Sequence, residues 1–288
     1  MASIGLKRVI ASAVALVGVT YVGFCAYLWT QQRALIFQAQ PLVRRTPRDV
    51  GVEFADLDIP VASGGVIHAW WLPADSSAPR AATLLYLRGN DGNLGEEVER
   101  LAALRRHGLP ILAIDYRGFG KSSAPAPSES QVYADAMAAW DHLVRSQGLE
   151  PRRIIVYGHS LGGAVATELA LHRAPMCGIV LESTFTSIAD LGQAQYPIVP
   201  VRWFLTERFD TLSKISRLVG PIVFIHGTAD DVVPAGMTQR LYLAAHAPKQ
   251  LILVDGAGHE DAMPAGGTRV AEAIAGLARR CAGGSRQR

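Results

Sequence analysis

The sequence predicts an α/β domain of three layers, in which a mostly parallel sheet of eight strands lies between helices. Six short and nearly uninterrupted apolar runs occur between residues 83 and 254, and such runs are typical of strands that are covered on both faces. Stretches with helical periodicity separate the runs. Two further strand-like segments precede them, so that strands and helices alternate after an antiparallel pair.

Local patterns define each element. Residues 52–59 alternate apolar and mostly acidic positions, and residues 66–72 return as a second strand after the turn Ser63-Gly64-Gly65. The buried strands are expected at 83–87, 109–114, 154–157, 179–181, 222–225 and 251–254. The helices are expected at 94–107, 131–147, 161–172, 234–246 and 266–280. The first helix has acidic residues in its first turn and basic residues in its last, and Gly108 is placed to cap it.

The domain is expected to span residues 49–282, and one part of it breaks the alternation. Residues 188–220 separate two strands by 33 residues and are rich in proline and aromatic residues. A segment of this length in a compact domain is typically a lid or a binding loop, and we predict a lid. The small and polar residues 283–288 are predicted to form a disordered tail.

An apolar segment near the N-terminus predicts a single membrane-spanning helix over residues 9–30. Residues 9–29 carry no charge, and a helix of this length, at about 1.5 Å per residue, just crosses a hydrocarbon core of roughly 30 Å. The segment is longer than the apolar part of a cleaved signal peptide and is not followed by a good cleavage site. Phe24 before Cys25 argues against a lipoprotein signal, and the lack of a polar face argues against a buried core helix.

Short polar segments flank this predicted anchor. Residues 1–8 precede it, and residues 31–48 are predicted to form a juxtamembrane linker. Lys7 and Arg8 lie on one side of the anchor, and a similar number of arginines lies on the other. Because the balance of positive charge sets orientation, the sequence leaves open on which side of the membrane the domain lies.

Composition excludes several classes of protein. With 49% hydrophobic and 18% charged residues, the chain has the composition of a folded domain. The net charge of +3 is small for 288 residues, and no basic stripe is interleaved with aromatic residues, so nucleic acid is not an expected partner. The cysteines, Cys25, Cys177 and Cys281, are odd in number and widely spaced. They predict neither a disulfide framework nor a metal site.

The pentapeptide Gly158-His159-Ser160-Leu161-Gly162 is the motif in this chain that most clearly indicates a catalytic residue. It follows the predicted strand 154–157 and opens the predicted helix 161–172. This context is that of a nucleophile elbow, a sharp turn that presents a serine hydroxyl above a sheet, with flanking glycines because a Cβ would collide there. Ser160 is therefore the predicted nucleophile.

A serine hydroxyl needs a general base, which a carboxylate in turn orients. In this strand-turn-helix arrangement the order along the chain is serine, acid, histidine, and two histidines are late enough in the sequence. His246 falls in or at the end of an amphipathic helix, where a surface histidine is the default. His259 lies in a glycine-rich loop directly after a strand, so His259 is the predicted base.

Two adjacent aspartates follow the strand at 222–225. The spacing Gly-x-x-Asp-x-x-Val-Pro selects Asp230 as the acid, and Asp231 is then expected to cap the helix that begins near Pro234. Asp190 and Asp210 remain alternatives, because the acid can also come from an earlier position in the chain.

Two backbone N–H groups are expected to form an oxyanion hole. One belongs to Leu161, directly after the nucleophile, and the other comes from the loop after the third strand. That loop is Arg88-Gly89-Asn90-Asp91-Gly92-Asn93. Asn90 is its predicted donor.

With these residues in place, the chain resembles the membrane-anchored α/β-hydrolases of the abhydrolase-domain type, which include protein depalmitoylases and many uncharacterised bacterial proteins. The likeness covers nearly the whole chain. Besides the anchor and the motifs above, it includes Gln32 to Phe37, Asp115 to Ser122, Glu182-Ser183 and Phe209 to Leu212. In relatives the oxyanion loop begins with histidine, where this chain has Arg88. A backbone oxyanion hole tolerates that change, and Arg88 beside it would favour an acidic leaving group or acyl chain.

The resemblance implies an α/β-hydrolase fold and hydrolysis of an ester or thioester through an acyl-serine intermediate, without a metal or an organic cofactor. Glu182 is expected to brace the site. The short, apolar lid favours lipophilic acyl substrates drawn from the adjacent membrane. Two alternatives stay open: an amidase or peptidase that uses the same residues, and a membrane-tethered binding protein without catalysis. The oligomeric state is not predicted.

Overall fold

The computed structural model describes residues 2–74, 82–124 and 127–283. The strands are β1 (Gln38–Ala39), β2 (Ala55–Pro60), β3 (Val66–Leu72), β4 (Thr83–Leu87), β5 (Asp91–Gly92), β6 (Ile111–Ile114), β7 (Ile154–His159), β8 (Gly178–Glu182), β9 (Ile222–Gly227) and β10 (Lys249–Val254). The helices are α1 (Ala2–Ile36), α2 (Val98–Arg105), α3 (Glu129–Asp141), α4 (Leu161–Arg173), α5 (Ile188–Gln195), α6 (Val201–Phe204), α7 (Leu212–Ile215), α8 (Ala235–Ala244), α9 (Ala262–Ala265) and α10 (Gly267–Gly283).

The main sheet has eight strands in the order β10-β9-β8-β7-β4-β6-β3-β2. The strands from β10 to β6 are parallel, whereas β3 is antiparallel to both of its neighbours. Because β4 lies between β6 and β7, the chain changes its direction of travel across the sheet at this point. Such a reversal leaves a crevice beyond the carboxyl ends of the two strands, where ligands bind in open α/β sheets.

Two apolar layers cover the sheet, as the continuous apolar strands predict. On one face Val132 of α3, Val165 of α4 and Leu241 of α8 are fully buried. On the other face Leu101 of α2 and Ile274 of α10 are equally buried. The strands β4, β6, β7, β8 and β9 are buried along their whole length. The sheet is therefore a rigid platform whose loops can present functional groups.

The helix predicted over residues 94–107 is shorter than expected. Asn93 accepts a hydrogen bond from the N–H of Gly95, and the N–H of Leu94 donates to the carboxylate of Asp115 over 3.0 Å. These bonds hold residues 94–96 in a 3-10 turn, so that α2 begins at Val98. The C-cap of α2 is Arg106 rather than the predicted Gly108, which lies three residues beyond the helix with a φ of 77° and donates its N–H to the carbonyl of Arg105.

The N-terminal helix α1 is longer than the predicted anchor. It runs over 35 residues and ends at Ile36 rather than at residue 30. Its segment Gly5–Ile36 is long and apolar enough to cross a membrane, a property that a signal sequence or a core helix can share, and none of its most apolar part is buried. Much of the predicted linker 31–48 lies against the domain, because β1 pairs with β5.

The cysteine prediction is wrong for one pair. Cys177, directly before β8, and Cys281, in α10, form a disulfide with Cα atoms 5.4 Å apart. They are separated by 104 residues, and only the packing of α10 across the sheet brings them together. Cys25 is a free thiol on α1.

The predicted lid, residues 188–220, contains the three short helices α5, α6 and α7 between β8 and β9. At the other end of the domain, α10 continues to Gly283. Residues 284–288 of the predicted tail lie outside the described residues.

Candidate active site

Ser160 lies at the sharp turn between β7 and α4. Its φ of 52° is in a region that residues other than glycine rarely adopt, and such a conformation costs about 1–3 kcal/mol. The surrounding structure holds it there. The N–H of Ser160 donates to the carbonyl of Glu182 over 2.9 Å, and the hydroxyl of Thr184 donates to the carbonyl of Ser160 over 2.8 Å.

The glycines of the pentapeptide make this turn possible. A Cβ on Gly158 would overlap the carbonyl of Gly162, and a Cβ on Gly162 would overlap the carbonyl of Leu87. The following glycine, Gly163, packs equally closely against Thr184. The turn is therefore pressed against β4 and β8, and the serine side chain points out of the sheet.

Gly162→Ala is expected to lower the free energy of unfolding by about 3 kcal/mol or more, because its Cβ meets backbone that cannot move aside. The matched control is Gly236→Ala in the first turn of α8, where an added Cβ has no neighbour within 4 Å. That variant should gain up to about 1 kcal/mol. Chemical denaturation in detergent would measure both. Equal stabilities would contradict the tight packing of the elbow.

The structure brings the three predicted residues together. Ser160 follows β7, Asp230 follows β9 and His259 follows β10, so all three lie at the carboxyl ends of parallel strands. The Oγ atom of Ser160 is 3.0 Å from Nε2 of His259, and Nδ1 of His259 is 2.8 Å from Oδ2 of Asp230. These are the contacts that a nucleophile, a base and an orienting acid require.

Electrostatics match this arrangement. Burial would raise the pKa of Asp230, but hydrogen bonds from His226, His259 and the N–H of Val233 outweigh it, and the pKa is well below its ordinary value. Burial would lower the pKa of His259, but the hydrogen bond and the charge of Asp230 outweigh it and raise the pKa. Asp230 is therefore a carboxylate that stabilises the protonated form of His259.

The two alternative acids, Asp190 and Asp210, have their hydrogen-bond partners elsewhere. Asp190, in the lid segment, accepts hydrogen bonds from Thr186 and Arg202. Asp210 accepts one from the N–H of Ser213. Asp231 borders the active-site cavity. The expected capping role of Asp231 is wrong, since α8 begins after Pro234 without a side-chain cap.

The predicted oxyanion donors border the same cavity as Ser160. Gly89 is so close to the nucleophile that a Cβ placed on it would lie 3.6 Å from Cβ of Ser160. The side-chain amide of Asn90 donates to the backbone carbonyl of Ile36 over 2.6 Å. The backbone carbonyl of Asn90 accepts a hydrogen bond from the N–H of Gln38. The loop that carries Asn90 is thus tied to the end of α1, and Asn90 and Leu161 line the same cavity.

Arg88 does not line the cavity, which corrects the expectation that it favours an acidic substrate. Its side chain is 1% exposed, and its contacts lie in the oxyanion loop and the segment around Asp115 and Phe119. Nη2 donates to the carbonyl of Asp91, and the guanidinium lies 5.1 Å from the ring centre of Phe119. Nε is 3.6 Å from the carboxylate of Asp115. Arg88 therefore braces the oxyanion loop from behind.

Comparison with known proteins agrees with the fold. Residues 79–214 match the family described as serine aminopeptidase, S33. The chain is 37% identical over 255 residues to an uncharacterized protein of Mycobacterium tuberculosis, covering 86% of this chain and 87% of that one. It is 28% identical over 219 residues to the α/β-hydrolase domain-containing protein WAV2 of Arabidopsis thaliana, covering 70% of each.

The chain belongs to the α/β-hydrolase family. The fold prediction is confirmed, because the structure superposes on an esterase of Pyrococcus furiosus with a TM-score of 0.69 at 20% identity, covering 84% of this chain and 98% of the esterase. The family resemblance expected from the motifs is confirmed as well.

A cavity of about 760 Å³ lies directly beside Ser160 in this hydrolase. Its volume is in the range of small-molecule sites. One wall comes from α1 and another from the lid segment. The apolar residues that line these two walls are Leu28, Leu35, Ile36, Ile188, Leu191, Tyr196, Val201, Phe204 and Leu205.

Two further histidines, both of which precede Asp230 in the chain, contact the acid and base loops. Nε2 of His226 lies 3.1 Å from Oδ2 of Asp230, and the ring is fully buried. Burial, followed by the charge of Arg100, lowers the pKa of His159 to about 4, so the ring is neutral. Its Nε2 lies 3.2 Å from the carbonyl of His259. Because no sequence signal links these residues to the acid and base loops, only the structure reveals them.

A buried ionic network lies beneath the loop that carries His259. Arg100 of α2 donates to the carboxylate of Glu182 over 2.5 Å and to the backbone carbonyl of Glu260 over 2.7 Å. Glu182 accepts further hydrogen bonds from Tyr157 and from the N–H of Met263. The network holds the loop at Glu260 and Met263, both of which follow His259 in the chain, and this is consistent with the bracing role expected for Glu182.

Arg100→Met is expected to lower the free energy of unfolding by about 3–5 kcal/mol, because it leaves the buried carboxylate of Glu182 without its cation. Arg106→Met, at the exposed end of the same helix, is the matched control and should change stability by less than about 0.5 kcal/mol. Chemical denaturation of both variants measures the difference. A small effect for Arg100→Met would contradict the role of the network.

One group of described residues has the composition of a metal site. His159, His259 and Glu260 bring ligand atoms within 4.8 Å of one another. Each already has a protein partner, since His259 contacts Ser160 and Glu260 pairs with Arg100 over 2.9 Å. A metal ion there would compete with the hydrogen bond to the nucleophile. We therefore assign the group to the surroundings of the base.

Proposed function

We propose that this protein is a membrane-anchored serine hydrolase that cleaves carboxylic esters or thioesters of lipophilic acyl groups. The observation that carries the proposal is the chain of contacts from Ser160 through His259 to Asp230, with heavy-atom distances of 3.0 Å and 2.8 Å. A non-catalytic binding protein would have no need of a strained serine aligned with a base and a buried carboxylate.

The reaction follows from these positions. Oγ of Ser160 attacks the acyl carbonyl while Nε2 of His259 takes the hydroxyl proton, and Asp230 holds the imidazole and stabilises its charged form. The N–H groups of Asn90 and Leu161 stabilise the oxyanion. His259 then donates the proton to the leaving alcohol or thiol, which leaves an acyl-serine. Water, deprotonated by His259, hydrolyses that intermediate by the same steps.

The cavity supports an apolar acyl group. Its walls beside Ser160 are lined by leucine, isoleucine, valine and aromatic side chains of α1 and the lid segment. Its volume of about 760 Å³ exceeds what a short acid needs. The long, exposed apolar helix α1 supports a membrane anchor, which would put the cavity close to lipid-soluble substrates.

A chain-length series tests the proposal. With p-nitrophenyl esters of increasing acyl length, kcat/KM of the full chain in detergent should rise by up to about fourfold for each CH₂ that the cavity buries. Thioesters of the same acids should follow the same order. A preference for acetate over every longer chain would contradict lipophilic selectivity.

An amidase or peptidase is the second candidate, because the matching family is described as serine aminopeptidase. The same groups can attack an amide. Aminoacyl p-nitroanilides, measured beside the esters, separate the two activities. A higher kcat/KM for the anilides would favour the peptidase.

A further inference from the structure

The membrane helix α1 contacts the rest of the protein along one stripe. Tyr21, Cys25, Leu28 and Gln32 recur at intervals of four and three residues, which puts them on one face of the helix. Cys25, Leu28 and Gln32 are half-buried, whereas the side chains between them are mostly exposed. The stripe therefore marks where α1 packs against a neighbouring element.

That element is the lid segment. The N–H of Thr206 donates to Oε1 of Gln32 over 2.8 Å, and Nε of Arg33 is 2.6 Å from the carboxylate of Glu207. Much nearer the N-terminus of the helix, the hydroxyl of Tyr21 donates to the carbonyl of Ile198 over 2.7 Å. From Gln32 back to Tyr21 the helix spans about 16 Å. The lid segment therefore runs back along α1 over that distance.

We propose that the lid tip, residues 196–204, is embedded in the lipid bilayer beside α1. This inference rests on the proposed membrane anchor. If residues 9–29 span the hydrocarbon core, Trp29 lies at its edge, and Tyr21 lies about 12 Å deeper in the core than Trp29. Ile198, which is bonded to Tyr21, then lies at the same depth.

The exposed side chains of the lid tip suit a lipid environment. Trp203 is 89% exposed, Ile198 is 78% exposed and Tyr196 is 45% exposed. Large apolar side chains with this exposure are unfavourable in water when they form a patch. Ile198 adjoins α1 through its bond to Tyr21, and α1 also exposes apolar side chains near that point, such as Val17 and Val22. Arg202, the charged residue of the lid tip, is 60% exposed and pairs with Asp190 over 2.6 Å, so its charge has a partner.

The backbone carbonyls at the start of the lid tip have hydrogen-bond partners within the protein, as backbone groups in a lipid environment require. Irregular backbone at membrane depth must have its polar groups satisfied by protein. The side-chain amide of Gln193 donates to the carbonyls of Tyr196 and Pro197, and Tyr21 supplies the bond to the next carbonyl, that of Ile198. The prolines at 197 and 200 have no N–H to satisfy. Three successive carbonyls are thus protected by side chains.

An embedded lid tip explains why α1 forms a wall of the active-site cavity. Leu28 and Leu35 of α1 face the same space as Tyr196 and Phe204 of the lid segment. A substrate acyl chain can then pass from the bilayer between α1 and the lid to Ser160 without crossing water. The anchor is in this way part of the acyl-binding site as well as a tether.

Tryptophan quenching tests the position of the lid tip. The full chain carrying Trp29→Phe is inserted into phosphatidylcholine vesicles with and without bromine atoms in the acyl chains, and the double variant Trp29→Phe/Trp203→Phe is the blank. Brominated lipid should quench a component of the emission that is present in the single variant and absent from the double variant. Equal quenching of both would overturn the proposal.

The single variant Trp203→Phe separates this inference from the anchor itself, because it retains Trp29. If Trp29 is quenched and Trp203 is not, the anchor stands and the embedded lid tip is wrong. If neither is quenched, the membrane anchor and the inference both fail.

An activity measurement provides a second, independent readout. Ile198→Asp should reduce hydrolysis of a long-chain ester dissolved in vesicles by about tenfold, because a carboxylate is costly in the hydrocarbon core. Hydrolysis of water-soluble p-nitrophenyl acetate should be unchanged, which shows that the variant folds. The matched control is Leu243→Asp on α8, a leucine that is 75% exposed and outside the lid segment. Equal activity of the two variants on the vesicle substrate would overturn the proposal.

Discussion

Ser160→Ala should lower kcat for p-nitrophenyl ester hydrolysis by about 10⁵–10⁶-fold, since serine hydrolases lose this much when the nucleophile is removed. Oγ of Ser160 lies 3.0 Å from Nε2 of His259. Alanine has no Oγ, so the variant lacks the atom that attacks the carbonyl. Loss of labelling by a fluorophosphonate probe measures the same step without a substrate. The strained turn should persist, because its backbone bonds to Glu182 and Thr184 do not involve the hydroxyl.

The matched control for this variant is Ser213→Ala, at an exposed serine in α7. It should keep full activity and full labelling. Retention of either property by Ser160→Ala would disprove the acyl-serine mechanism. It would leave the fold assignment untouched, since that depends on the family comparison and the sheet order.

Asp230→Asn should lower kcat/KM at neutral pH by about 10⁴-fold, because an amide no longer holds His259 in the tautomer that accepts the serine proton. It should also move the pH profile. In the native protein, activity is expected to rise with pH as His259 loses its proton, and Asp230 raises the pKa of His259. Removing that charge lowers this pKa, so the acidic limb should shift to lower pH.

A pH series of kcat/KM for the native protein and Asp230→Asn measures both effects. Asp231→Asn is the control, because its side chain is exposed at the rim of the cavity and lies next to Asp230 in the chain. It should shift neither the rate nor the profile appreciably. An acidic limb that stays in place in Asp230→Asn would mean that another group orients the base.

The motif-bearing part of the site could be foreseen because it depends on local chain geometry. A glycine on each side of a serine, between a strand and a helix, predicts the turn at Ser160, and the structure has that turn. Asp230 and His259 could be selected because the order serine, acid, histidine is fixed along the chain and both residues fall in loops that follow predicted strands. The structure brings both residues into contact with each other, and their catalytic roles remain a prediction.

The supporting residues could not be foreseen, because their partners are distant in sequence. Arg100 reaches Glu260 across 160 positions, and the Cys177–Cys281 pair spans 104. The orientation of Arg88 was expected to be towards the substrate, yet it is set by Asp91, Asp115 and the ring of Phe119. Contacts of this kind depend on how layers stack, which no local pattern encodes.

By itself, the sequence determined the class of fold, the order of strands and helices, and three residues able to act as nucleophile, acid and base, because hydrophobic period and turn chemistry are local properties. Only the tertiary structure decided where α1 ends, that it packs along the lid segment, and that the two enclose the cavity beside Ser160. The physical reason is that an apolar helix has the same pattern whether it faces lipid alone or shares one stripe with protein. Single contacts such as Tyr21 with Ile198 distinguish these two cases.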